Sequence, residues 1–281
     1  MTRDNGSSPG YRPTPKPSTQ PFVVRSVPEL IRWQPPHIDY IVDKGLLWPK
    51  SRMVIFGLWK SWKSMLAQDL GFSIAEGVPW LGFATLPRKV LNLQLEIPEF
   101  LLRERVMQYA AGHQSFPQGL HYWTQHYLKL DRDYGIHFLE DVLSREHPDV
   151  LIIDPIYKVI TGNISDSYDV SKFLDNVDLL MEKWNLAVVL VHHERKPQMD
   201  SEGKQLPSHA ADMMGSSYLL NWLDTGVMLE RIGGPNSSSI SVTFDPLRHA
   251  REELPTLSVT FDRQSLAARL MNLTTATIWK E

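Results

Sequence analysis

Residues 57–64 read GLWKSWKS, the spacing of a phosphate-binding loop, G-x-x-x-x-G-K-[ST], with Trp62 where the second glycine belongs. Such a loop needs backbone N–H groups aimed at an anion, a helix start behind them, a lysine for the outer phosphates and a hydroxyl for Mg²⁺. Gly57, Lys60, Ser61 and Trp62 would present the backbone, Lys63 the ammonium and Ser64 the hydroxyl. Every residue except proline keeps its N–H donor, so Trp62 is admissible if its φ is negative and its ring points away from the phosphates. A basic aromatic turn without a ligand fits the broken octet as well.

Phosphoryl chemistry with Mg²⁺ also needs an acidic group beside the loop, and Asp154 closes the apolar run VLIID. A helix-capping aspartate after a strand would look the same. Glu96 closes LNLQLE, where a carboxylate can polarise an attacking water. In LVHHERK, His192 and His193 end a further apolar run, the place for a group that senses the terminal phosphate. Adjacent strand residues point to opposite faces, so the histidine pair makes a poor metal site.

These groups require a scaffold that brings several strand ends to one edge. Short apolar runs at 52–56, 89–96, 120–124, 149–154 and 186–191 read as strands. Helical spacing follows at 64–76, after Pro98, around Ile136–Leu143 and over Val170–Trp184. Strand and helix alternate, with β-rich segments at 225–231, 239–244 and 257–261. The pattern predicts an α/β domain with a central, mainly parallel sheet flanked by helices and antiparallel strands at the C-terminal end. Polar strand ends at the C-terminal edge of such a sheet are where ligands bind.

The chain has 281 residues, 42% hydrophobic, enough for one large core. Residues 1–22, with five prolines among Gly, Ser and Thr, read as a disordered tail, 23–51 as a lead-in packed on the domain through Trp33, Ile38, Ile41, Leu46, Leu47 and Trp48, and 52–281 as the domain itself. No apolar run approaches the ~20 residues that cross a bilayer, and MTRDNGSSPG has no apolar signal segment, so a cytoplasmic protein without membrane contact is expected. The absence of cysteine removes disulfides and thiolate chemistry. A net charge of −3 provides no general pull toward nucleic acid.

Taken in order, GLWKSWKS, a strand ending in Glu96, LIID, VLVHHERK, MMGSSYLLNWLD and VTFDPLRHARE resemble the RecA-like ATPases of the hexameric replicative helicase branch, the RepA and DnaB type, over roughly residues 30–265. The resemblance implies ATP held by Lys63 and Ser64, Mg²⁺ on Ser64 and Asp154, Glu96 as the catalytic base and His193 as the sensor. It also implies a homo-oligomer, typically a hexamer, in which Arg248 is an arginine finger for the neighbouring subunit's nucleotide, and single-stranded DNA in the central channel. In such rings the segments at about 155–169 and 194–213 face that channel, and Arg195 and Lys196 are the best DNA contacts, although neither segment is net basic. Solvated loops fit these segments equally. Trp62 departs from the family pattern, and so does Pro246, which stands where a second trans cation is often found. In the resembling ring, outward from the loop is the adjoining protomer, so the Trp62 ring is expected to contact a neighbour, while a tolerated substitution that only supplies its backbone N–H stays open. Two further activities stay open: a nucleotide-dependent assembly ATPase that builds a ring or filament without unwinding, and a small-molecule kinase, for which no acceptor site is visible. Lys63→Ala is expected to abolish ATP binding, because a methyl group cannot replace an ammonium beside phosphates. Calorimetric titration checks this, and parental affinity in the variant would exclude the loop.

Overall fold

The computed structural model describes residues 23–162, 164, 167–193, 217–234 and 236–271. Its sheet begins with β1 (Arg52–Gly57), followed by α2 (Lys63–Glu76), while a short helix α1 (Val27–Arg32) precedes both. The alternation continues as β2 (Val90–Gln94), α3 (Glu99–His113), β3 (Leu120–Thr124), α4 (Asp133–Glu146), β4 (Val150–Asp154), α5 (Ser167–Trp184) and β5 (Ala187–His193). A short α6 (Ser217–Trp222) leads into β6 (Thr225–Ile232), β7 (Ser239–Leu247), β8 (Leu257–Phe261) and β9 (Ala268–Leu270). The strands form one sheet in the order β3-β2-β4-β5-β1-β6-β7-β8-β9. All pairings from β3 through β6 are parallel and the last three are antiparallel. This is the α/β architecture expected, with α6, β9 and α1 added to the elements read from the sequence.

Period-two alternation splits the strands between two cores. Val54, Phe56, Leu91, Leu93, Leu151, Ile153, Val188 and Leu190 face α4, α5 and α6, while Met53, Ile55, Val90, Ile152 and Val189 face α2. Both faces are covered, which is why the runs carry almost no polar residue until they end. Leu66, Leu70 and Ile74 place α2 directly over the central strands. Its last turn ends at Gly77, whose φ of 70° is the left-handed closure glycine takes without strain. Helix α3 packs on α2 through Phe72, Tyr109 and Ala110, with the Phe72 and Tyr109 rings stacked at 5.5 Å.

The lead-in is seated only in its second half. Ile41, Val42, Leu46 and Leu47 are fully buried, and Val42 bridges both Leu47 and Thr85. Trp33 and Ile38, expected to pack, stand 42% and 48% exposed. Helix α1 buries nothing and is held by local contacts, among them the Ser26 backbone and hydroxyl donating to Glu29. Residues 1–22 lie outside the described residues.

Within α5, Phe173 is fully buried and Leu179 is 69% exposed. Phe173→Ala is expected to cost roughly 3–5 kcal/mol of stability, whereas Leu179→Ala should stay within about 0.5 kcal/mol. Urea unfolding of the two variants gives the comparison, and similar losses would refute the assignment of this face.

Candidate active site

Four adjacent strands, β2, β4, β5 and β1, end at one edge of the sheet, and their register aligns the ends: Gln94 lies opposite Asp154, and Gly57 opposite His193. Above this edge the β1–α2 loop helps to line a cavity of about 700 Å³. Lys60, Ser61, Trp62, Lys63, Ser64, Glu96, Asp154 and His193 all line it, so most residues singled out in the sequence meet there.

Gly57 is required by close approach, since a Cβ there would lie 2.3 Å from the Leu229 carbonyl oxygen. Ser61 is buried and its hydroxyl donates to the Leu58 carbonyl at 2.7 Å. The Lys63 ammonium, 6% exposed, donates to the same carbonyl at 2.7 Å. The cation therefore rests on its own loop, at the cavity wall.

Trp62 corrects the sequence reading. Its φ is +65° rather than negative, and within the chain its half-buried ring packs on Phe261. The indole stacks on Phe261, with centroids 4.9 Å apart and planes 9° apart, and its Nε1 donates to the Ser237 carbonyl at 3.3 Å. Left-handed backbone costs a non-glycine residue roughly 1–2 kcal/mol. An aromatic pair contributes about 0.5–1.5 kcal/mol beyond its buried area, enough to offset most of that cost.

Asp154 is 4% exposed at the end of β4. The Ser64 hydroxyl donates to its Oδ1 at 3.1 Å and the Gln94 amide to its Oδ2 at 3.3 Å. Burial raises its pKa above the usual carboxylate range, and the two donors oppose that rise. The Gln94 side-chain Oε1 accepts from the backbone N–H groups of Leu95 and Glu96 at 3.1 and 3.2 Å, tying the Asp154 carboxylate to the turn that carries Glu96. Glu96 is exposed at the mouth and accepts the Tyr157 hydroxyl. His193 lies half-buried beside Tyr157, ring centroids 5.7 Å apart, and burial together with the Lys63 charge lowers its pKa to about 4. His192, fully buried, belongs to the other face of β5.

Gln94, Tyr157, Arg105, Arg231 and Arg263 were missed in the sequence. Arg105 from α3, Arg231 from β6 and Arg263 after β8 line the cavity with Lys60 and Lys63, opposed only by Glu96 and Asp154. A chain of net charge −3 thus gathers a cationic excess at this cavity, as a polyanion requires. The only signal of the three arginines is a basic residue on a helix face, a strand or a turn, which usually marks solvent.

Arg248 lies elsewhere. It follows Leu247, which pairs with Thr225 at the start of β6, and Thr225 in turn pairs with Met53 at the start of β1. The residue is exposed at the opposite edge of the sheet, its guanidinium donating to the Leu220 carbonyl at 3.1 Å. Within one chain it does not reach the cavity. Arg195 and Lys196 lie outside the described residues.

Residues 16–199 match the AAA domain family. A solved ATPase domain superposes with a TM-score of 0.58 over 80% of this chain and 86% of its own, at 14% identity. A KaiC-like protein from the hyperthermophilic archaeon Pyrococcus horikoshii gives 0.56 over 83% and 94%, at 11% identity. No curated protein matches the sequence. At these identities the two superpositions show the fold.

The lowered His193 pKa has a definite sign. The unfolded chain takes the proton near 6.5 and the folded one near 4, so the stability owed to the neutral imidazole is full above about 6.5 and is lost as pH falls through about 4. Proton NMR of the nucleotide-free protein should show His193 titrating near pH 4, and a midpoint near 6.5 would refute the burial argument.

Proposed function

The chain belongs to the AAA domain family and has the RecA-like fold, and we propose that it binds and hydrolyses ATP with Mg²⁺ as a motor, in the form of a ring-forming replicative DNA helicase of the plasmid and phage type. The convergence of Lys63, Ser64, Asp154, Glu96 and His193 on one cationic cavity carries the ATPase part of this reading. Among the described residues no cluster of three His, Asp or Glu could hold a metal unaided. The Ser64 hydroxyl and Asp154 carboxylate, already 3.1 Å apart, suit a Mg²⁺ that takes one or two protein ligands and completes its shell with phosphate and water. Bound there, the ion would neutralise charge on the phosphates.

The protein's own groups then divide the work. Backbone N–H groups from Lys60 to Ser64 cradle the phosphates, and Lys63 exchanges the Leu58 carbonyl for their oxygens. Glu96, at the open mouth, takes the proton of the attacking water. His193, neutral at physiological pH, offers an N–H to the terminal phosphate without adding charge. Arg248, on the far edge, stabilises the transferring group in the site of a second copy. A homo-oligomer, hexameric in the helicase reading, is needed for that step. Single-stranded DNA would contact Arg195 and Lys196.

ATP hydrolysis measured with and without single-stranded DNA, together with displacement of a strand from a forked duplex, tests the reading. Expected are DNA-stimulated hydrolysis and displacement in the parent, with Glu96→Gln losing both while still binding ATP. Hydrolysis indifferent to DNA, without displacement, would overturn the helicase and leave the assembly ATPase. Failure to bind ATP would overturn both.

A further inference from the structure

Two residues of the loop other than glycine adopt left-handed backbone, Lys60 at φ 62° and Trp62 at φ 65°. A glycine at position 62 would take this conformation freely, whereas tryptophan must be held in it. The holding contacts come from the antiparallel side of the sheet. Arg231 of β6 donates to the Lys60 carbonyl, Ser237 in the β6–β7 turn accepts the indole N–H at 3.3 Å, and Phe261 at the end of β8 presents a flat face 4.9 Å from the indole. Phe261 is 2% exposed and fixed in the core beneath α2, so the face that Trp62 rests on cannot yield. Trp62 is the N-cap of α2, and its backbone angles decide where the N–H groups of Lys63 and Ser64 point.

We propose that Phe261 is a positioning residue for the nucleotide, acting through the Trp62 ring to impose the left-handed turn that a glycine would adopt unaided. The inference rests on the reading of the loop as an ATP site. Phe261 does not line the cavity, so its influence on a ligand there passes through Trp62. The tertiary contact replaces the missing glycine: the ring that makes the turn unfavourable also carries the surface that enforces it.

A double-mutant cycle on the full chain tests this, read as the affinity for a fluorescent, non-hydrolysable ATP analogue with Mg²⁺. Phe261→Leu keeps the core volume and removes the flat face. It should weaken binding about tenfold in the parent. In the Trp62→Gly background it should weaken binding by less than about twofold, because glycine makes the turn without support. Melting temperatures record what Phe261→Leu costs the fold in each background, so that every affinity is read on folded protein. Trp62→Val gives a second measure. A β-branched residue tolerates left-handed backbone least, so it should bind at least about tenfold more weakly than Trp62→Gly. Equal losses from Phe261→Leu in the two backgrounds, or equal affinities of the valine and glycine variants, would overturn the inference while leaving the ATP site intact. A parent that fails to bind the analogue would overturn both.

Discussion

A carboxylate at 4% exposure, closing a strand covered on both faces, cannot stand without donors, and Asp154 sets that demand on everything around it. One donor comes from the first turn of α2 and the other from the end of β2. To supply them, β2 must end level with β4, and α2 must start directly above Asp154. The span from β1 to α2 is then fixed at both ends. What remains is a tight loop whose N–H groups and lysine surround the same point as the carboxylate. Burial still prevails over the two donors and raises the Asp154 pKa, a desolvation cost of the charged carboxylate that a divalent cation beside it would offset.

Much of this was legible in the sequence because buried parallel strands are written as nearly continuous apolar runs, and polar residues where those runs end mark the edge that carries the cavity. Asp154, Glu96 and the His192–His193 pair were found by that rule, which did not tell by itself that His193 and not His192 lines the cavity. Gln94 was not found, since an amide in the last place of β2 carries no sign in the sequence of its bonds to the carboxylate and to the following turn. The conformation of Trp62 was read wrongly because local preference favours negative φ, and the contact that overrides it lies on β8, far along the chain. The apolar residues of 23–40 predicted packing, yet composition does not say what covers them, and Trp33 and Ile38 are largely open. Arg105, Arg231 and Arg263 converge only once α3, β6 and β8 are assembled.

The sheet has a direction, and its two edges carry different chemistry. One gathers the loop, the carboxylates and the cationic lining. The other carries Arg248 beside a small network in which Asp224 accepts the Arg52 backbone N–H at 2.9 Å and meets the His249 ring at 3.1 Å. The strand segment running to Arg248 is steadied by Trp48 of the lead-in, whose ring meets that of His249 edge-on at 5.3 Å. Arg248 stands a strand's length from the cavity of its own chain. The lead-in thus bears on the composition of that edge as well as on the core.

The stacked pair of Trp62 and Phe261 also constrains how the chain can change over generations. If Phe261 is replaced first, an unsupported tryptophan is left in a backbone region that its side chain disfavours, and every later step starts from an impaired loop. If Trp62 becomes glycine first, the turn persists and Phe261 is released to drift like any other core residue. The pair can therefore be dismantled in one order and not the other, a historical ratchet in which a residue remote from the phosphates stays locked for as long as its partner in the loop is aromatic.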